Sequence, residues 1–159
     1  MKSAAAAAPE LLLDSNIITG GLVSRWGQAR AILSLCAART CRLVLADYVR
    51  IEVERNLLKH FDKTAEAQAE QLLMDYEKLI RLTRPKIVPL PHPEDVLKNR
   101  HLIRHAADVP VVLSAINCRP DWIITDNRDH FTDEVAAKIG IKVASPAEFF
   151  NRLVEAFEG

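Results

Sequence analysis

Four acidic residues, Asp14, Glu52, Asp108 and Asp126, occupy places from which a carboxylate can do chemistry. Asp14 follows the apolar run Leu11-Leu12-Leu13 and opens Asp14-Ser15-Asn16, and Asp126 follows Trp122-Ile123-Ile124-Thr125. Asp108 precedes Val109-Pro110, where an Asp cap and a first-turn Pro start a helix. Glu52 lies three residues beyond Val49 and so flanks the apolar stripe of its helix, whereas Glu54 points about 140° away from Val49. Carboxylates gathered within a few ångströms cannot all stay ionised unaided, so the set implies either raised pKa values or a bound divalent cation. Oxygen donors without His or Cys select a hard ion, Mg²⁺ or Mn²⁺, with Asp14, Asp108 and Asp126 as the candidate ligands. Such an ion works on phosphate esters: it polarises the phosphoryl group, supplies a hydroxide nucleophile and stabilises the leaving oxygen of an in-line displacement.

Ser15, Asn16 and Thr125 can orient the carboxylates or the attacking water, and Lys98, Arg100, His101, Arg104 and His105 form a basic run that can guide a polyanion toward them. Each residue also has a plainer reading. Asp after a strand is a common turn residue, Asp108 is a plain N-cap, and Glu52 belongs to a charged run from Arg50 to Arg55. The basic run suits a solvated helix face. His92 and His130 are lone histidines near loops and are not assigned as ligands, and Trp26 and Trp122 read as core.

The elements that must position these residues alternate along the chain. Short apolar strands are expected at Leu11–Leu13, Arg42–Ala46, Lys86–Leu90, Trp122–Ile124 and Ile141–Ala144. Helices are expected from Ser24 to about Ala38, from Asp47 to about Phe61 on the stripe Val49, Val53 and Leu57, and from a Thr64 cap through Leu72, Leu73, Tyr76, Leu79 and Ile80 to the stop at Pro85. A loop spans Leu90–Glu94, a polar helix runs on to about Ala106, and further helices start at Asp108 and Thr132. This alternation predicts a three-layer α/β/α sandwich with a mainly parallel sheet of four or five strands and a site at the carboxyl ends of the strands.

The chain has 159 residues, 49% hydrophobic and 26% charged, which suits one globular domain over residues 10–159 behind a loose tail at 1–9. Lysine plus arginine and aspartate plus glutamate both number 21, so net charge is zero and contact with nucleic acid must be local. Three cysteines without a C-x-x-C pair argue against a disulfide framework or a thiolate metal site and favour the cytoplasm. No apolar run reaches the ~18 residues of a membrane helix.

In order along the chain, Leu11-Leu12-Leu13-Asp14-Ser15-Asn16-Ile17, Leu43-Val44-Leu45 through Glu52-Val53-Glu54-Arg55-Asn56-Leu57, Ala107-Asp108-Val109-Pro110-Val111-Val112-Leu113 and Ile123-Ile124-Thr125-Asp126-Asn127-Arg128-Asp129-His130-Phe131 make a pattern over residues 11 to 150 that resembles the PIN-domain nucleases, particularly the VapC-like toxin branch. The resemblance implies a Mg²⁺- or Mn²⁺-dependent endoribonuclease with Asp14, Glu52, Asp108 and Asp126 as its acidic cluster and Asp14 and Asp108 as principal ligands. It also implies a homodimer, and a small antitoxin protein as partner if the chain is a toxin. The fourth motif departs from the commonest family pattern, in which an acid stands two residues after the threonine; here that residue is Asn127. Asp126 and Asp129 are then alternatives for completing the site, and one or two metals remain open.

Two other functions compete. A phosphatase or phosphotransferase would want a carboxylate where Asn16 stands and a lysine after a late strand, whereas Lys142 lies within one. A PIN-like module with weakened catalysis would only bind RNA or protein, and metal occupancy discriminates it from the nuclease.

Overall fold

The computed structural model describes residues 7–61 and 65–158. The tail expected at 1–9 lies outside them up to residue 6, as does the Thr64 cap. Strand β1 (Glu10–Leu13) carries Leu11, Leu12 and Leu13, all fully buried. It passes without a loop into helix α1 (Ser15–Val23), with Asp14 as its N-cap. This helix lies before the Ser24 start expected from the spacing and contains Gly20-Gly21. Gly21 is there for packing: a Cβ on it would come within 2.6 Å of Leu33 Cδ1 on helix α2 (Gln28–Ala37). Close approach of the two helices offsets the ~1 kcal/mol that a helical glycine costs.

The expected helix from Ser24 is corrected accordingly. It starts at Gln28, after Gly27 at φ 107°, a left-handed backbone that suits only glycine. Trp26, expected in the core, sits in the connection and is 85% exposed. Strand β2 (Arg42–Ala46) and helix α3 (Asp47–Phe61) follow as expected, with Val49, Val53 and Leu57 buried on one stripe. Helix α4 (Glu66–Thr83) buries only Tyr76, Leu79 and Thr83, and Leu73 is exposed, so its apolar face is narrower than the spacing suggests. It ends at Arg84 in a left-handed conformation just before Pro85.

Strand β3 (Lys86–Val88) is shorter than expected, and helix α5 (Pro93–Lys98) starts on Pro93 inside the expected loop. The polar helix expected to run to Ala106 is instead α5 followed by two 3-10 turns, Arg100–Leu102 and Ala106–Asp108. Ile103 between them is buried and anchors the connection to the core. Helix α6 (Val109–Cys118), strand β4 (Trp122–Ile124), helix α7 (Asp133–Ile139, capped by the Thr132 hydroxyl) and strand β5 (Lys142–Ala144) lie close to expectation. Helix α8 (Pro146–Glu158) was not foreseen; its Phe149 is buried edge-on to Trp122 at 5.6 Å between ring centroids.

All five strands are parallel, in the order β3-β2-β1-β4-β5, with the helices around them, as in the expected three-layer sandwich. The order reverses direction at β1: the chain builds outward through β2 and β3 on one side and through β4 and β5 on the other. In an open parallel sheet this switch leaves a crevice at the carboxyl ends of the two central strands. Leu13 pairs with Ile124 in register, so the residues that follow them, Asp14 and Thr125, emerge side by side in that crevice. No helix among the described residues is long and apolar enough to cross a membrane.

Candidate active site

Asp14 is tied down at three points. Its backbone N–H donates to the Ile124 carbonyl at 3.0 Å, its Oδ1 accepts from the Ser15 N–H at 2.8 Å, and its Oδ2 accepts from the Thr125 hydroxyl at 2.8 Å. Thr125 is fully buried, and its Oγ1 also accepts from the Asn127 N–H at 3.0 Å. One hydroxyl thus couples the acid after β1 to the turn after β4. Burial pushes the Asp14 carboxyl above its ordinary value; the bonds from Thr125 and Ser15 oppose the rise, and the negative charges of Asp108 and Asp126 add to it.

Glu52 reaches the same crevice from the second turn of α3. Burial first, then the charges of Asp14 and Asp108, raise its carboxyl to about 7, with Arg55 pulling the other way. Glu54, by contrast, is exposed and pairs with Arg50 at 3.3 Å. Asp108 stands at the start of α6, but its side chain does not cap the helix. Its Oδ2 instead lies 2.7 Å from His130 Nδ1. Asp126 is exposed at the mouth, and its charge acts on Asp14. Asp129 lines a neighbouring cavity of about 480 Å³ with Arg100, Arg104, His130 and Lys138.

Asp14 thus feels the charges of Asp108 and Asp126, and Glu52 those of Asp14 and Asp108, with Ser15 and Thr125 buried beside Asp14. Asn16 is exposed on α1, and Arg104 belongs to the adjoining cavity rather than to the acids. Among the described residues, no three His, Cys, Asp or Glu side chains stand close enough together to hold an ion as they are. Hydrogen bonds occupy the carboxylates of Asp14 and Asp108. The donor chemistry fits a hard divalent cation, since oxygen ligands predominate and a positive charge would relieve the repulsion that adds to the effect of burial on Asp14 and Glu52.

Two residues at this site went unrecognised in the sequence. Tyr48 donates its hydroxyl to the Ala107 carbonyl at 3.2 Å, and burial, then the charges of Glu52 and Asp108, raise its phenol. Four residues before Glu52 is next to next on the same helix face, so helical spacing could have found it. His130, set aside as a lone loop histidine, touches Asp108 across 22 residues of sequence, which no local spacing signals.

A family model described as PIN domain matches residues 10–129, three-quarters of the chain. The chain belongs to the PIN-domain family. The family is one of nucleases, so the crevice of this PIN domain is the place to look for hydrolysis. Comparison with curated proteins finds no match. Among solved structures, the PIN domain is similar to FitAB bound to the IR36 DNA fragment, at 16% identity and a TM-score of 0.62 over 86% of this chain and 94% of that one. It is also similar to VapBC2 from Rickettsia felis bound to a DNA fragment from their promoter, at 16% identity and a TM-score of 0.55 over 86% and 98% of the two chains. FitAcB from Neisseria gonorrhoeae is similar at 15% identity and a TM-score of 0.56, over 86% and 97%. At such identities these likenesses speak to the fold.

Proposed function

We propose that this PIN domain is a divalent-metal-dependent endoribonuclease, with Asp14, Asp108 and Asp126 holding Mg²⁺ or Mn²⁺ and Glu52 completing the acidic cluster. The observation that carries the reading is the gathering of acids from β1, α3, α6 and the β4 turn at the topological switch point, where Asp14 feels the charges of Asp108 and Asp126 and Glu52 those of Asp14 and Asp108. When bound, the ion supplies Lewis-acid activation of the phosphoryl group and of the attacking water. The chain's own residues do the rest. Thr125 and the Ser15 N–H fix the Asp14 carboxylate, Glu52 stands half-buried beside it as a group that can accept a proton from the water, and Asn127 holds the turn through Thr125. Arg104, with Arg100 and Lys138, lines a basic cavity next to the acids that suits the phosphates of a flanking RNA segment.

The VapC-like branch, a small antitoxin partner, a homodimer and a cytoplasmic location belong to the same reading. Similarity to FitAB and VapBC2 supports the first two. Expression of the chain alone should arrest growth, and sedimentation at micromolar concentration should show a dimer. The RNA- or protein-binding module is a second reading, favoured by Asn127 in place of an acid.

The test compares single-stranded RNA, structured RNA, single-stranded DNA and duplex DNA with Mg²⁺, Mn²⁺ or EDTA, using wild type and Asp108→Asn. RNA cutting that needs the metal and Asp108 supports the proposal. Binding without cutting under every condition supports the module.

A further inference from the structure

His130 is the one imidazole in ion-pair distance of an acid of the crevice among the described residues, and it lies one residue beyond the family match. Its surroundings are built rather than incidental. The ring stacks on His105 at 3.4 Å between centroids with 17° between planes, and its Nδ1 is 2.9 Å from Asn127 Nδ2 and 2.7 Å from Asp108 Oδ2. Asn127 in turn is fixed through its backbone N–H to Thr125 Oγ1, which holds Asp14. A continuous chain of hydrogen-bonding groups therefore runs Asp14–Thr125–Asn127–His130–Asp108 and joins two acids that emerge from different elements.

One nitrogen cannot accept a proton from Asn127 and donate one to Asp108 at the same time. The carboxylate is the stronger acceptor and the shorter contact, so the proton sits on Nδ1 and points at Asp108. The Asn127 amide then presents its oxygen to the ring, an orientation assigned from the hydrogen-bond network.

We propose that His130 is a positioning residue for the acidic crevice: its Nδ1–H, held in place by the His105 stack and with Asn127 as a second, longer contact, donates to Asp108 Oδ2 and fixes the orientation of that carboxylate. The assignment also gives Asn127 a purpose where the commonest family pattern has an acid. The crevice uses that position to orient one carboxylate instead of adding another. The proposal rests on the nuclease reading for its consequence, but its geometry can be tested without metal or RNA.

Long-range ¹H–¹⁵N correlation spectra of the metal-free protein should show His130 in the Nδ1–H tautomer, and Asp108→Asn should shift its ring nitrogens while leaving the His92 resonances in place. Two substitutions then separate the hydrogen bond from ring packing. His130→Phe keeps an aromatic ring against His105 and loses the donor; His130→Asn can place an amide N–H near the Nδ1 position. Removing such an outer partner costs about 10–100-fold in metal affinity or activity, so Mn²⁺ affinity and kcat should fall by that factor in His130→Phe and recover in His130→Asn, with KM for RNA little changed. An Nε2–H tautomer indifferent to Asp108→Asn would overturn the proposal, as would equal Mn²⁺ affinity in wild type and His130→Phe. The expected tautomer and Asp108 response in a protein that cuts no RNA would uphold the positioning role and count against the nuclease.

Discussion

Replacing Glu52 with Gln should flatten the pH dependence of stability in the metal-free protein. The carboxyl is displaced from 4.5 to about 7, by burial first and then by the charges of Asp14 and Asp108. The folded state thus holds this proton more tightly than the unfolded chain does. Its contribution to stability is complete below pH 4.5 and is lost as the pH rises through about 7. A tenfold change in proton affinity is worth about 1.4 kcal/mol, so the displacement sets a ceiling of about 3 kcal/mol. Glu52 is partly open to water, and solvent screening brings the expected figure to about 1 kcal/mol. Urea unfolding in EDTA should therefore show Glu52→Gln equal to wild type near pH 4.5 and more stable by about 1 kcal/mol at pH 8. Asp14, also raised, leaves a residual slope in both proteins. Mg²⁺ at pH 8 should narrow the gap by stabilising wild type more than the variant. Parallel pH profiles for the two proteins, with no convergence at low pH, would refute the electrostatic coupling of Glu52 to the crevice.

Other consequences follow from the same geometry. Thr125→Val removes a buried hydroxyl that serves both Asp14 and Asn127, and should cost about 1–3 kcal/mol in chemical denaturation. Gly21→Ala improves helix propensity yet drives a methyl into Leu33, so thermal unfolding should show a net loss of about 1–3 kcal/mol. Arg104→Ala should weaken RNA binding with kcat unchanged, and the slope of log K against log salt should fall by about 1, which a binding titration at several salt concentrations reads directly.

What was legible in the sequence follows a physical line. Strands buried on both faces read as unbroken apolar runs, so Leu11–Leu13, Leu43–Ala46 and Trp122–Ile124 announced the central sheet and with it the positions of Asp14 and Asp126. The stripe Val49, Val53, Leu57 set the face of α3 and singled out Glu52 over Glu54. The failures occur where tertiary contact overrides local preference. Helix α1 carries Gly20-Gly21 and is held by close packing on α2 that no local spacing signals, and Trp26 reads as core until Gly27 is seen turning the chain next to it. The segment from after Glu94 to about Ala106 looks like one polar helix because nothing local reveals that buried Ile103 draws it inward between two 3-10 turns. His130 could not be linked to Asp108 by any periodicity, since a loop and a helix start bring them together.

The proposed endoribonuclease would cut RNA in the acidic crevice with a divalent ion held around Asp14. The most direct measurement is cleavage of a mixed RNA pool with Mn²⁺ by wild type and by Asp14→Asn, each shown by its unfolding transition to be folded. Wild type should cut, EDTA should abolish the cutting, and Asp14→Asn should not cut. Equal cutting by both proteins, or cutting that persists in EDTA, would contradict it.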